Sequence, residues 1–178
     1  MRDIALAAFI AGMLLVSLRR PVFGVLMWAW ISMMNPHTMT YGFAARTPWA
    51  LVIALTTLVG FALTKERKPF PLNGGTLLRL LLIAWMTVTS VFALNPIEGE
   101  VLDRWIFMLK IIFMLLITFM LIRGRKEIDW LIWVMVISVG FYGVKGGLWT
   151  LATGGGGRVW GPPGGNLAGN NELAVGLV

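Results

Sequence analysis

Six apolar runs, at residues 4–18, 22–34, 48–63, 77–94, 105–122 and 130–151, alternate with short polar connections along the 178-residue chain. The last three are long enough to cross a hydrocarbon core that takes about 20 helical residues. The first two are shorter and meet at Arg19-Arg20-Pro21, which fits two tilted helices or one shallow hairpin. No run carries a strong polar stripe, as expected where lipid or other helices surround each one. The pattern predicts an all-α fold, a polytopic integral membrane helical bundle of about six transmembrane helices over residues 1–151. A glycine-rich loop follows over 152–172, and the apolar residues 173–178 read as the start of a further helix. Those last residues are too few to cross a bilayer. The polypeptide therefore reads as the front of a longer protein, inactive by itself.

Charge gives the runs a direction. The connections after the first, third and fifth carry Arg19, Arg20, Lys65, Arg67, Lys68, Arg123, Arg125 and Lys126. The N-terminus and the other connections carry Arg2, Arg46, Arg104 and Arg158, with Asp3, Glu98, Glu100, Asp103 and Glu172. Because cations are retained on the cytoplasmic side, this alternation predicts that the N-terminus and the glycine-rich loop lie on the outer, non-cytoplasmic face. The stretch ahead of Arg19 has the length of a signal-peptide core but no good cleavage site, so it reads as an uncleaved first helix. Asn35-Pro36 and Asn95-Pro96 open two outer connections alike, where proline ends the preceding helix; beyond this hint of an internal repeat the similarity is generic.

Three cations fall inside apolar runs. Arg79 is close enough to an end to snorkel to the interface. Lys110, five residues beyond Trp105, and Lys145, six before Leu151, lie in the outer halves of their runs. Intramembrane cations cost several kcal/mol unless they snorkel, pair or face a wet cavity. Each lysine either reaches the outer interface or an acid, or the two join Arg158 in an electropositive pocket suited to a lipid-linked phosphate or diphosphate. Gly140, Gly143, Gly146 and Gly147 surround Lys145; Gly143 and Gly147 form a G-x-x-x-G pair expected to allow close packing, or local unwinding.

The densest chemistry lies in TGGGGRVWGPPGGNLAGNNE, residues 153–172, with eight glycines, two prolines, three asparagines, Arg158, Trp160 and Glu172. This composition excludes a regular helix and leaves backbone N–H groups free. Gly161-Pro162-Pro163-Gly164 predicts a stiff turn. Asn170 or Asn171 is expected to cap a following helix with Glu172 in its first turn. The alternative is a binding role, in which Asn166, Asn170, Asn171, Arg158 and Trp160 contact an oxyanion or sugar and Glu172 is a weak candidate for a general base.

Composition narrows the rest. Hydrophobic residues make up 58% and charged residues 13%, against roughly 25% charged in soluble domains, which requires a lipid bilayer around the chain. A net charge of +7 split into short loop clusters is a topology signal, and no nucleic acid partner is expected. With no cysteine and one histidine, His37, neither thiol chemistry nor a metal site is expected, and His37 reads as satisfied or interfacial. Phosphate-loop, dinucleotide, nucleophile-elbow and zincin motifs are absent. The nine tryptophans fall largely near run ends, where indoles anchor at headgroups.

The opening MRDIALAAFIAGMLLVSLRRPVFGVLMWAWISMMNPHTMTYGFA, with RRP and MNPH, and GGGGRVWGPPGGNLAGNNELA resemble the exosortase A-associated O-glycosylation ligases, which are similar to O-antigen ligases and polymerases. The resemblance implies a multi-span inner-membrane protein that transfers a glycan from a polyprenyl-diphosphate carrier to a glycan acceptor on the periplasmic side, with no cofactor. It also implies a further periplasmic loop rich in arginine and histidine that this chain lacks, so only Arg158 and its surrounding loop carry over as substrate contacts. The competing expectations are a transporter or flippase of the same lipid-linked glycan, and a non-catalytic membrane scaffold.

Overall fold

The computed structural model describes residues 1–64, 73–93, 99–165 and 167–178. Every regular element among them is helical: α1 (Arg2–Arg19), α2 (Pro21–Met34), a 3-10 turn (Pro36–Met39), α3 (Phe43–Arg46), α4 (Trp49–Leu63), α5 (Gly74–Val91), α6 (Glu100–Leu121), α7 (Arg125–Thr153) and α8 (Asn170–Leu177). Three helices, α5, α6 and α7, are long and apolar enough to cross a membrane, and α2 and α4 are shorter apolar helices. The protein is an all-α membrane protein. The expected cations Lys65, Arg67 and Lys68, the Asn95-Pro96 corner, Glu98 and Asn166 lie outside the described residues.

The chain forms two compact units, Met1–Lys65 with Gly124–Val178, and Glu66–Arg123. In the first, the α1–α2 boundary falls at Arg20, which is non-helical at φ −135° and ψ 89°, as proline favours in the residue before it, and Pro21 occupies the first turn of α2 where its missing N–H is harmless. The two helices fold back on each other, with Phe9 and Trp30 edge to face at 5.5 Å. Ile10, Met27, Ile31 and Ile53 form the core that joins α1, α2 and α4. Phe23 stacks on Trp130 at 5.7 Å, so α2 and α7 start at the same end and run in the same direction. Polar side chains inside these helices bond their own backbone: the hydroxyls of Thr57 and Thr150 donate to the Ile53 and Gly146 carbonyls at 2.6 and 2.9 Å.

This packing sorts the charges of the first unit. Arg19, Arg20, Arg125 and Lys126 gather at one end. Arg2, Asp3, Arg46, Arg158 and Glu172 belong to the other, where the Asp3 carboxylate accepts from the Gly42 and Ala44 N–H groups at 2.9 and 3.3 Å. The N-terminus, the 35–48 connection and the glycine-rich segment thus share one end, as the loop charges predicted.

In the second unit α5 and α6 pack antiparallel. The Trp105 indole N–H donates to the Thr87 hydroxyl at 3.1 Å, and the Arg79 guanidinium lies 4.1 Å over the Phe119 ring. Arg79 also curls back to within 3.2 Å of the space a Cβ on Gly75 would take, pointing toward its own helix end as a snorkelling cation does. Asn73 caps α5 by accepting from the Thr76 N–H at 2.9 Å, so the helix starts ahead of the apolar run.

Candidate functional site

Where α7 ends, Gly154 turns the chain out of the helix in a left-handed conformation, φ 65°. The chain then returns along the helix it has just left. Val159 fills the space that a side chain on Gly146 would occupy, and Leu177 of α8 comes within 2.7 Å of a Cβ position at Gly143. Gly147 and Gly140 have open space. The small-residue face is therefore Gly143 with Gly146, one turn apart, and it receives the loop and α8. This corrects the expected Gly143–Gly147 pair, and α7 runs unbroken through Lys145.

Further along, the Gly161 N–H donates to the Ala168 carbonyl at 3.1 Å, and Pro162 is fully buried. The turn is Pro162-Pro163-Gly164-Gly165, closed by the Gly165 N–H on the Pro162 carbonyl at 3.1 Å, with Gly164 at φ 70°. It sits one residue later than expected because Gly164, with its positive φ, takes the third position of the turn. Gly169, not Asn170 or Asn171, is the cap of α8. The asparagines are the first helical residues, and the Glu172 carboxylate folds against Gly169. Glu172 occupies the first turn, as expected.

The loop's return leaves a cleft of about 160 Å³ lined by Tyr142, Lys145, Gly146, Trp149, Arg158, Val159 and Trp160. Three of the residues singled out in the sequence, Lys145, Arg158 and Trp160, thus come together. Lys110 belongs to the other unit, on α6, and is not among the lining residues; nor are Asn170, Asn171 and Glu172. The cleft residues that sequence reasoning missed are Tyr142 and Trp149 on α7 and Val159 in the loop. For the two on α7 the signal was present: 142, 145, 146 and 149 recur at helical spacing and mark one face of α7.

Electrostatically the cleft is a pair of uncompensated cations. Among the described residues neither Lys145 nor Arg158 forms an ion pair with a carboxylate, whereas Arg104 meets Glu100 at 2.7 Å on the exposed start of α6. Two indoles, Trp149 and Trp160, 43% and 61% exposed, line the cleft beside them. Two cations without a counter-charge in a partly apolar cleft favour an anion. Aromatic faces beside them suit an apolar chain or a sugar ring.

Of the two readings of His37, satisfied or interfacial, the first is not met: in the 3-10 turn its Nδ1 is buried with no hydrogen-bond partner among the described residues. Burial lowers its pKa below the ordinary 6.5. No group of three His, Asp or Glu side chains able to hold a metal occurs among the described residues.

Fold and site together define an α-helical membrane protein with an electropositive, indole-lined cleft at one end of its first unit. The chain belongs to a family of unknown function, DUF5935, whose family model matches residues 1–161. No curated protein and no solved structure matches it.

Proposed function

We propose that this protein serves glycan transfer in the bacterial inner membrane, binding a polyprenyl-diphosphate-linked glycan in the Lys145–Arg158 cleft on the periplasmic side. The observation that carries the reading is the cleft itself, two cations without an ion pair among the described residues, beside two indoles at the end of the first unit away from Arg19, Arg20, Arg125 and Lys126. At about 1.5 Å per residue, Lys145 stands roughly 30 Å along α7 from Arg125, about one hydrocarbon thickness away. With Arg125 and Lys126 at the cytoplasmic boundary, the Lys145 ammonium falls at the depth of the opposite headgroups, where a carrier diphosphate lies.

In this reading Lys145 and Arg158 neutralise the diphosphate as the sugar–phosphate bond breaks and it departs, while the acceptor hydroxyl oxygen forms the new bond to the sugar and its proton passes to the departing diphosphate. Trp149 and Trp160 hold the first isoprene units or the first sugar. The resemblance to O-glycosylation ligases supports the same assignment. Glu172, folded against Gly169 and outside the cleft, is given no part in it. The unbroken α7 favours a ligase over a flippase of the same lipid, for which an interrupted helix at the site is the usual device.

Farnesyl diphosphate is a manageable probe of this site. Binding to the detergent-solubilised protein is expected to weaken about tenfold or more in Arg158→Ala and in Lys145→Ala, as loss of a charge-assisted hydrogen bond requires. Unchanged affinity in both variants removes the cleft from donor binding. Transfer to acceptor in membranes, against translocation without a new glycosidic bond, separates ligase from flippase.

A further inference from the structure

The cleft has one wall on a helix and one on a loop, and two hydrogen bonds from a single corner of the chain reach both. That corner is Met34-Asn35, the end of α2. The Tyr142 hydroxyl, on the helix wall, donates to the Met34 carbonyl at 2.8 Å. The Asn35 side-chain amide donates to the Pro163 carbonyl at 3.3 Å, in the turn just after Trp160. Asn35 is buried and is the only non-glycine residue with positive φ among the described residues, at φ 46° and ψ 50°. Its backbone is committed as well: its N–H caps α2 on the Ile31 carbonyl at 3.0 Å, and its carbonyl accepts from the Thr38 hydroxyl at 2.7 Å.

Gly165 completes the arrangement. A Cβ there would come within 2.7 Å of the Asn35 amide nitrogen, so the absence of a side chain at 165 is what admits the amide to the turn. The left-handed backbone of Asn35 by itself only asks for glycine or asparagine. Glycine would satisfy it. What asparagine adds is the donor that reaches the loop.

We infer that Asn35 is a positioning residue, a latch that holds the Arg158–Trp160 wall at a fixed separation from Tyr142 and Lys145 through its bond to Pro163. Asn35 does not line the cleft and acts only through the loop. Without the latch, the loop keeps its own closure at Gly161–Ala168 and the Val159 contact with Gly146, so it stays folded but is free to shift against α7. The inference rests on the cleft being the binding site, and its geometric test is independent of any ligand.

The chain has no cysteine, so spin labels at Leu148→Cys on α7 and Trp160→Cys on the loop report the wall separation directly. Asn35→Gly keeps the left-handed backbone and removes the donor; Gly165→Ala leaves Asn35 intact and displaces its amide. Both are expected to broaden the distance distribution while helical circular dichroism is unchanged. In unlabelled protein, both are expected to bind farnesyl diphosphate about fivefold more weakly, the worth of one net hydrogen bond. If Asn35 serves only as the left-handed end of α2, Asn35→Gly keeps the parent's distance distribution and affinity, and that result overturns the latch. If Asn35→Gly does not fold, Gly165→Ala decides by the same two readouts. Wild-type protein that shows a narrow distribution broadened by both variants, yet binds no farnesyl diphosphate, keeps the latch and refutes the donor-site reading.

Discussion

The Tyr142 hydroxyl and the Met34 carbonyl meet at 2.8 Å across 108 residues of sequence, tying the middle of α7 to the last turn of α2. The carbonyl is one of those that a helix end leaves without an intrahelical partner. The phenol satisfies it while its ring packs with Val139 and Leu173, a cluster joined by Met33, Met34, Met39, Val159 and Leu167. Tyr142→Phe is therefore expected to cost about 1 kcal/mol, the hydrogen bond alone. Tyr142→Ala is expected to cost about 3 kcal/mol or more, because the ring's packing goes with it. Denaturant unfolding in detergent checks both, and equal losses would show that the hydroxyl carries the whole contact.

Gly146 and Gly147 are neighbours in sequence with opposite surroundings, which gives a matched pair of substitutions. A methyl at 146 meets the Val159 side chain, whereas one at 147 meets nothing within 4 Å. Gly147→Ala is expected to be neutral or to stabilise by about 0.5–1 kcal/mol, the helix preference of alanine over glycine. Gly146→Ala is expected to destabilise by about 1–3 kcal/mol through overpacking and to weaken probe binding, since Val159 lines the cleft. Thermal unfolding of the two variants side by side tests the sign.

His37 gives the protein an acid-sensitive point. Burial holds its folded-state pKa below the unfolded value of 6.5, so the neutral ring is the form that folding favours. That contribution is fully present above about pH 6.5 and is lost as pH falls through the lower folded-state pKa. Wild-type protein is expected to lose more thermal stability than His37→Gln on acidification from pH 7.5 through this window. Parallel pH profiles for the two would contradict it.

The orientation proposed from charge is open to direct labelling in a chain without cysteine. Tyr41, 92% exposed, lies at the cleft end of the first unit, and Lys126 lies at the other. In spheroplasts a membrane-impermeant maleimide is expected to modify Tyr41→Cys and to spare Lys126→Cys until the cells are lysed. Labelling of Lys126→Cys alone would invert the orientation and leave the cleft without access to a periplasmic acceptor.

Much of this architecture was legible before any coordinates. Run length and hydropathy are properties of neighbouring residues, and they located α1, α2 and α4 to α7 to within a few positions. The clustering of cations into alternate connections foretold that Asp3, Asn35 and Arg158 belong to one end of the first unit, because each helix that crosses reverses the side. The cations inside apolar runs marked Lys110 and Lys145, with Arg158, as candidates for one pocket, and of these Lys145 and Arg158 line the cleft. Capping chemistry was less legible. Asn170 and Asn171 looked like caps because asparagine favours that place, yet Gly169 holds it.

What the sequence by itself determined is thus helical class, approximate helix limits and the grouping of ends, all of which follow from local composition and the cost of charge in lipid. Only the tertiary structure decided that Gly146 rather than Gly147 receives the loop, that Tyr142 and Trp149 join the cations, and that Asn35 reaches Pro163. Those outcomes depend on which side of α7 the returning chain lies against, and that is settled by packing between surfaces far apart in sequence, where no local pattern carries the information.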